Sequence, residues 1–260
     1  MSIKTSPTIG LVLSGGGLKG AAHVGVLEAM QEFGLEATYI SGASAGAIAG
    51  AFYAAGHSPD NLLKFFKDFS LFHFSRLTRR KAGFLDSEKF YKDLEKYFPT
   101  DSFEVLNKEL YITATNLVEG TSKVFTSGEL IRPILASAAF PGIFSPVIIG
   151  NEIYADGGIL NNFPLEPVRG KCDLIIGVDV SPLKKPNIQD FKYAHRVMQR
   201  AYQLRARAHA NSKLSECDIL IQPHDLVKYG LFESSSLDEI RKIGYIEAKE
   251  QISKYLKKQQ

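Results

Sequence analysis

Gly42-Ala43-Ser44-Ala45-Gly46 sets a serine between glycines two residues to either side. This is the G-x-S-x-G spacing of a nucleophile elbow, a sharp strand-to-helix turn that presents a serine hydroxyl. The glycines allow the strained backbone and a close approach of helix to strand. Two further stretches have the chemistry such a serine needs. Gly15-Gly16-Gly17-Leu18-Lys19-Gly20 can turn successive N–H groups into one concavity that binds an anion. Beside a nucleophile, that concavity is an oxyanion hole for an acyl-transfer intermediate. Asp156-Gly157-Gly158 holds an acid in a tight turn, where it either aims a carboxylate at a fixed point or bonds its own backbone.

The elements around these stretches follow from hydrophobic pattern. Ile9–Leu13 is an apolar run entering the glycine loop and reads as a buried strand. A helix over Ala21–Phe33 follows, with Val24, Leu27 and Met30 at helical spacing and Gly34 as C-cap. A strand at Thr38–Ser41 leads to Ser44 and the small-residue helix Ala45–Ala55. This βαβα unit places the glycine loop and Ser44 on the same edge of a parallel sheet, where ligand sites of α/β proteins form. Further along, the pattern predicts helices at Asp60–Asp68, Ser87–Phe98 and Glu129–Ala139, and strands at Leu110–Asn116 and Lys123–Phe125. Pro146–Ile149 and Glu152–Tyr154 flank Gly150-Asn151 as a hairpin that delivers Asp156. Cys172–Val180 reads as a buried parallel strand with Asp179 near its end, able to cap or orient a loop. Asp190–Leu214 reads as one helix with Phe191, Ala194, Val197, Met198, Ala201, Leu204 and Ala208 on its apolar face. Arg196, Arg200, Arg207 and Lys213 lie on its other side, solvated or resting on anionic headgroups. A strand at Ile219–Gln222 and a helix at Leu237–Leu256 close the chain.

Composition bounds the function. The 260 residues are 45% hydrophobic and 23% charged, with a formal charge of +3, ordinary for a globular protein and no pointer to nucleic acid. Two cysteines, Cys172 and Cys217, make no disulfide framework, and no Cys/His spacing suggests a metal site. The N-terminus lacks the apolar core of a signal peptide, and no uncharged apolar run reaches the ~18 residues of a membrane span. A cytoplasmic protein is expected, with peripheral contact at the inner membrane surface. Phe72, Phe74, Arg76, Arg79, Arg80 and Lys81 form an aromatic and basic segment suited to a lipid surface or an acyl-site lid.

The glycine loop has a second reading. Gly15-x-Gly17-x-x-Gly20 also matches the dinucleotide fingerprint, which expects an acid near the end of the second strand. Ile40-Ser41-Gly42 stands there instead, and Lys19-Gly20-Ala21 does not complete a phosphate loop. A hydroxyl also needs a base. Among histidines downstream of Asp156, His195 and His209 fall on a predicted helix, and His224 follows Pro223; none sits in a glycine-flanked loop.

Taken together, the three motifs resemble the patatin-like phospholipase family. Ala136-Ser137-Ala138-Ala139-Phe140-Pro141, Phe144-Ser145-Pro146-Val147 and Asn161-Asn162-Phe163-Pro164 resemble it too, and the likeness spans about residues 9–182. The resemblance implies a Ser–Asp dyad without a catalytic histidine. Ser44 would be the nucleophile and Asp156 its base; Gly15, Gly16, Gly17 and Ala45 would supply oxyanion N–H groups. Lys19 stands where the family commonly has a basic residue, and Gly42, Gly46, Gly157 and Gly158 support the turns. The turn reads Asp-Gly-Gly rather than Asp-Gly-Ala, a difference of subtype.

The expected architecture is α/β: a three-layer α/β/α sandwich with a mainly parallel central sheet, one domain over residues 1–260. Residues 183–260 would complete it with helices and a strand. The expected activity is hydrolysis of phospholipid or lysophospholipid acyl esters through an acyl-enzyme, without metal or cofactor. Transfer of the same acyl group to an alcohol acceptor is the alternative, and a nucleotide-binding module the reading from another class. Substrate headgroup, acyl position and oligomeric state have no signature in the sequence.

Overall fold

The computed structural model describes residues 7–73, 87–183 and 185–259. In chain order they form β1 (Ile9–Leu13), α1 (Ala21–Glu32), β2 (Tyr39–Ala43), α2 (Ala45–Ala54), α3 (Pro59–His73), α4 (Ser87–Glu95), β3 (Glu109–Asn116) and β4 (Thr121–Phe125). There follow α5 (Ile131–Ser137), β5 (Val147–Ile149), β6 (Glu152–Ala155), α6 (Gly158–Asn161), β7 (Leu174–Val178), α7 (Ala194–Leu214), β8 (Ile219–Ile221) and α8 (Leu237–Lys258).

The sheet runs β5-β6-β3-β2-β1-β7-β8, with β4 also paired to β3. β3, β2, β1, β7 and β8 are mutually parallel, whereas β4, β6 and β5 join antiparallel. The sheet is thus mixed, with the expected parallel strands at its heart. Those strands read as continuous apolar runs because both faces are covered. Alternation along β1 sets the layers. Leu11 and Leu13 enter a large core with α1, α2 and α8, while Val12 packs in a second cluster with Phe163, Ala210 and Leu214. The α1–α8 contact is close because Gly25 lies on the backbone of Arg241 and Tyr245, and Gly244 on that of Ala22.

Several boundaries differ from the sequence reading. α3 continues to His73, into the segment assigned to a lid. β7 starts at Leu174 rather than Cys172, because Asp173 instead accepts hydrogen bonds from the Thr8 N–H (2.9 Å) and hydroxyl (2.7 Å). The predicted Asp190–Leu214 helix is two pieces. A 3-10 turn at Ile188–Phe191 is closed by reciprocal Asn187–Asp190 bonds, and α7 restarts at Ala194.

The orientation of α7 is also the reverse of the one expected. Val197, Met198 and Leu204 are 49%, 66% and 49% exposed, and Phe191, Ala194, Ala201 and Ala208 are exposed too. The buried side carries Ala206, Ala210, Lys213 and Leu214. Both stripes recur at helical spacing, and bulk favoured the wrong one; the smaller residues turn inward because this side comes up against a pocket. Of the aromatic and basic segment, Phe74, Arg76, Arg79, Arg80 and Lys81 lie outside the described residues, as does the side chain of Phe72. Among the described residues no helix is long and apolar enough to cross a membrane.

Candidate active site

Ser44 stands between the end of β2 and the first residue of α2 with φ 53° and ψ −123°. It is the only non-glycine residue with positive φ among those described, a conformation costing of order 1–3 kcal/mol that persists only where surroundings impose it. They do so here. The Ser44 N–H donates to the Ser137 hydroxyl at 2.8 Å, which donates in turn to the Thr113 carbonyl at 2.6 Å. Gly46 lets α2 come down onto the sheet: a Cβ there would collide with the Leu13 carbonyl, and one on Gly42 with the Gly46 backbone.

The hairpin of β5 and β6 delivers Asp156, which is fully buried. Its Oδ2 accepts a 2.7 Å hydrogen bond from the Ser44 hydroxyl. Its Oδ1 accepts from the Gly158 N–H at 2.7 Å and from the Tyr202 hydroxyl at 2.9 Å. Burial raises its pKa from 3.8 to about 6, against the lowering pull of the Ser44, Gly158 and Tyr202 bonds. At neutral pH the carboxylate is therefore ionised yet more basic than a free one. Burial and the neighbouring carboxylate raise the Tyr202 phenol well above its usual value, so it remains a proton donor to Asp156.

The glycine loop divides its work. The Gly15 N–H donates to the Asn162 carbonyl at 3.2 Å, so it is spent and does not face the pocket as expected. The N–H groups of Gly16 and Gly17 meet no protein acceptor among the described residues, and neither does that of Ala45, the first of α2. All three residues line the pocket that holds Ser44. Gly17 takes φ 60°, the left-handed region where a side chain is strained. Gly15 is pinned from outside: its carbonyl accepts from Asn162 Nδ2 at 3.3 Å and from the Ser181 hydroxyl.

Lys19 is only 5% exposed and lines the same pocket; burial brings its pKa down to about 8, with Asp179 and Glu233 opposing. Asp179 does orient a loop, accepting from the Ser181 N–H at 3.0 Å, and it also pairs with Arg207 and accepts from Gln222 Nε2 at 2.7 Å. Away from Ser44 the pocket is walled by Ile48, Phe66, Phe69, Phe90, Phe140 and Phe144. The Phe69 and Phe90 ring centroids lie 4.7 Å apart.

No histidine with a described side chain lines this pocket. His23 is buried against the Ser14 carbonyl at 2.9 Å, and burial lowers its pKa to about 4; His224 is exposed. The sequence reading missed Tyr202 and Asn162 as contacts of the acid and the glycine loop. Asn162 lay within a quoted motif and was findable; Tyr202 sits on a motif-free helix and had no signal.

A family model described as patatin-like phospholipase matches residues 11–169. An uncharacterized NTE family protein of Mycobacterium tuberculosis is 34% identical over 181 residues, 68% of this chain and 50% of that protein. A protein of Pyricularia oryzae described as lysophospholipase NTE1 is 30% identical over 183 residues, 68% of this chain but 12% of its own length. The chain thus spans half or less of the length of these curated relatives. VipD from Legionella pneumophila shares the fold at a TM-score of 0.57 and 17% identity, over 96% of this chain and 68% of that one. The match to the family model covers the glycine loop, the serine elbow and the acidic turn in one stretch, and the chain belongs to the patatin-like phospholipase family.

Proposed function

We propose that this chain, as a single patatin-like domain over residues 1–260, is a serine acyl hydrolase that cleaves fatty-acyl esters of phospholipids or lysophospholipids. The observation that carries the reading is the 2.7 Å bond from the Ser44 hydroxyl to a fully buried Asp156 carboxylate. In this reading Ser44 attacks the ester carbonyl while Asp156 takes its proton. The free N–H groups of Gly16, Gly17 and Ala45 face the developing oxyanion, where preorganised donors lower the barrier most. Asp156 returns the proton to the leaving alcohol or lysolipid. Water then attacks the acyl-enzyme with Asp156 again as base, and the fatty acid departs. The aromatic wall of Phe66, Phe69, Phe90 and Phe144 suits an acyl chain, whose burial is worth ~0.8 kcal/mol per methylene. Lys19, held in the pocket and still mostly cationic at neutral pH with its pKa brought down to about 8, suits a phosphate-bearing substrate.

Labelling with a serine-directed fluorophosphonate and assays on acyl esters of graded length test the reading. Wild type should label and prefer long chains, whereas Ser44→Ala should neither label nor turn over. Wild-type hydrolysis by Ser44→Ala would refute it. Product analysis with added alcohol separates hydrolysis from acyl transfer.

A further inference from the structure

We infer that the outward face of α7, with the turn before it, is the surface on which this protein docks to an anionic lipid bilayer. The inference goes beyond the catalytic reading, and rests on it only for why a bilayer is useful at this place.

On a helix advancing 100° per residue, Val197, Ala201, Leu204 and Ala208 form one stripe. Tyr202, Ala206 and Ala210 form the opposite stripe, against the pocket and the second core cluster. The outer stripe is exposed along its length and continues into Met198 at 66% and Ile188 at 92% exposure. Contiguous exposed apolar surface of this kind marks an interaction site. Cations flank it: Arg196 and Arg200 on one side, Arg205 on the other, and Lys185 and Lys192 before the helix.

The sequence from 185 to 206 contains these five cations and one carboxylate, Asp190, which accepts from the Asn187 N–H at 2.9 Å. This short segment is more positive than the whole chain, whose net charge is +3. An apolar stripe bordered by cations suits a headgroup layer, with apolar side chains in the acyl boundary and cations at the phosphates. A second copy of the same face suits it poorly, since a two-fold contact would set cation against cation.

Place strengthens the assignment. This segment supplies Tyr202 and Gln203 to the pocket lining around Ser44, and Leu183 and Arg207 at its two ends line it as well. A protein seated on this face holds the pocket rim at the bilayer, so an acyl chain can enter without crossing water.

Vesicle co-sedimentation tests the surface. Wild type and Ser44→Ala should both bind vesicles containing phosphatidylglycerol and bind pure phosphatidylcholine far less. Binding should be lost in Val197→Glu/Met198→Glu and fall about 20-fold or more in Arg196→Gln/Arg205→Gln, at about 1 kcal/mol per cation. Both double variants should hydrolyse a water-soluble short-chain ester at the wild-type rate and melt with wild-type cooperativity, which separates lost docking from lost folding. Wild type remaining in the supernatant, or Val197→Glu/Met198→Glu binding as wild type does, would overturn the inference. So would a wild-type dimer in analytical ultracentrifugation that this variant dissociates. Because Ser44→Ala reports binding without turnover, failure of the catalytic reading shows in the ester assay and failure of the surface in the vesicles.

Discussion

Residues 11–169, the stretch matched by the family model, carry the elbow, the glycine loop and the acidic turn. Residues 185–259 carry no motif, yet both regions wall one pocket. The first region acts through its backbone: a positive φ at Ser44, N–H groups of Gly16, Gly17 and Ala45 that meet no protein acceptor among the described residues, glycines that allow close approach. Such features demand particular residue types at fixed local spacing, so they leave a pattern. The second acts through side chains reaching across the fold, Tyr202 to Asp156 and Arg207 to Asp179. Many sequences satisfy a reach of that kind, and it leaves no pattern.

The largest effect should come from the motif region. Ser44→Ala should lower ester turnover by about 10³-fold or more with the fold intact. Ser44→Gly should be equally inactive but more stable by ~1 kcal/mol in denaturant unfolding, because it relieves the positive φ. An unchanged midpoint would mean that the elbow is not strained.

Asp156→Asn comes next, with activity down ~10²–10⁴-fold. In wild type, kcat/KM should rise with pH through about 6, the pKa burial gives Asp156, and fall away below it. Stability should run the other way. The fold holds the Asp156 proton up to about 6, whereas the unfolded chain releases it near 3.8, so wild-type stability declines as pH rises between those values. Asp156→Asn should therefore gain up to about 3 kcal/mol at neutral pH, an advantage that disappears below the unfolded value. Denaturant titrations at both ends of the range check the sign.

Tyr202→Phe probes the motif-free region at the same carboxylate. Losing a hydrogen bond to the ionised form moves the acid limb of kcat/KM to higher pH and should lower kcat by about tenfold, with KM little changed. If the limb stays in place, the motif region alone governs the base. Lys213→Met should have the smallest effect on catalysis. Lys213 is 5% exposed and donates to Asn161 Oδ1 (2.7 Å) and the Phe163 carbonyl (3.2 Å), tying α7 to α6. Its loss should cost ~1–2 kcal/mol in thermal or chemical unfolding and leave the pH profile unmoved.

The parallel strands, the hairpin before Asp156 and the order of loops along the sheet edge were readable, because apolar runs and glycines impose them locally. Asp179 orients a loop, one of the two roles expected of it. The face of α7 was not readable, since its two apolar stripes differ in size rather than kind. Nor was the engagement of the Gly15 N–H with Asn162, a bond between residues remote in the chain.

Sequence by itself determined that Ser44 sits in a strained turn beside a glycine cradle, because only small residues at that spacing permit such a backbone. Tertiary structure decided what the turn meets. It buried Asp156 against Ser44, raised its pKa by desolvation, brought Tyr202 to its far oxygen and left no described histidine side chain in the pocket. Burial and through-space distance arise only when separated segments pack together, and local spacing does not encode them.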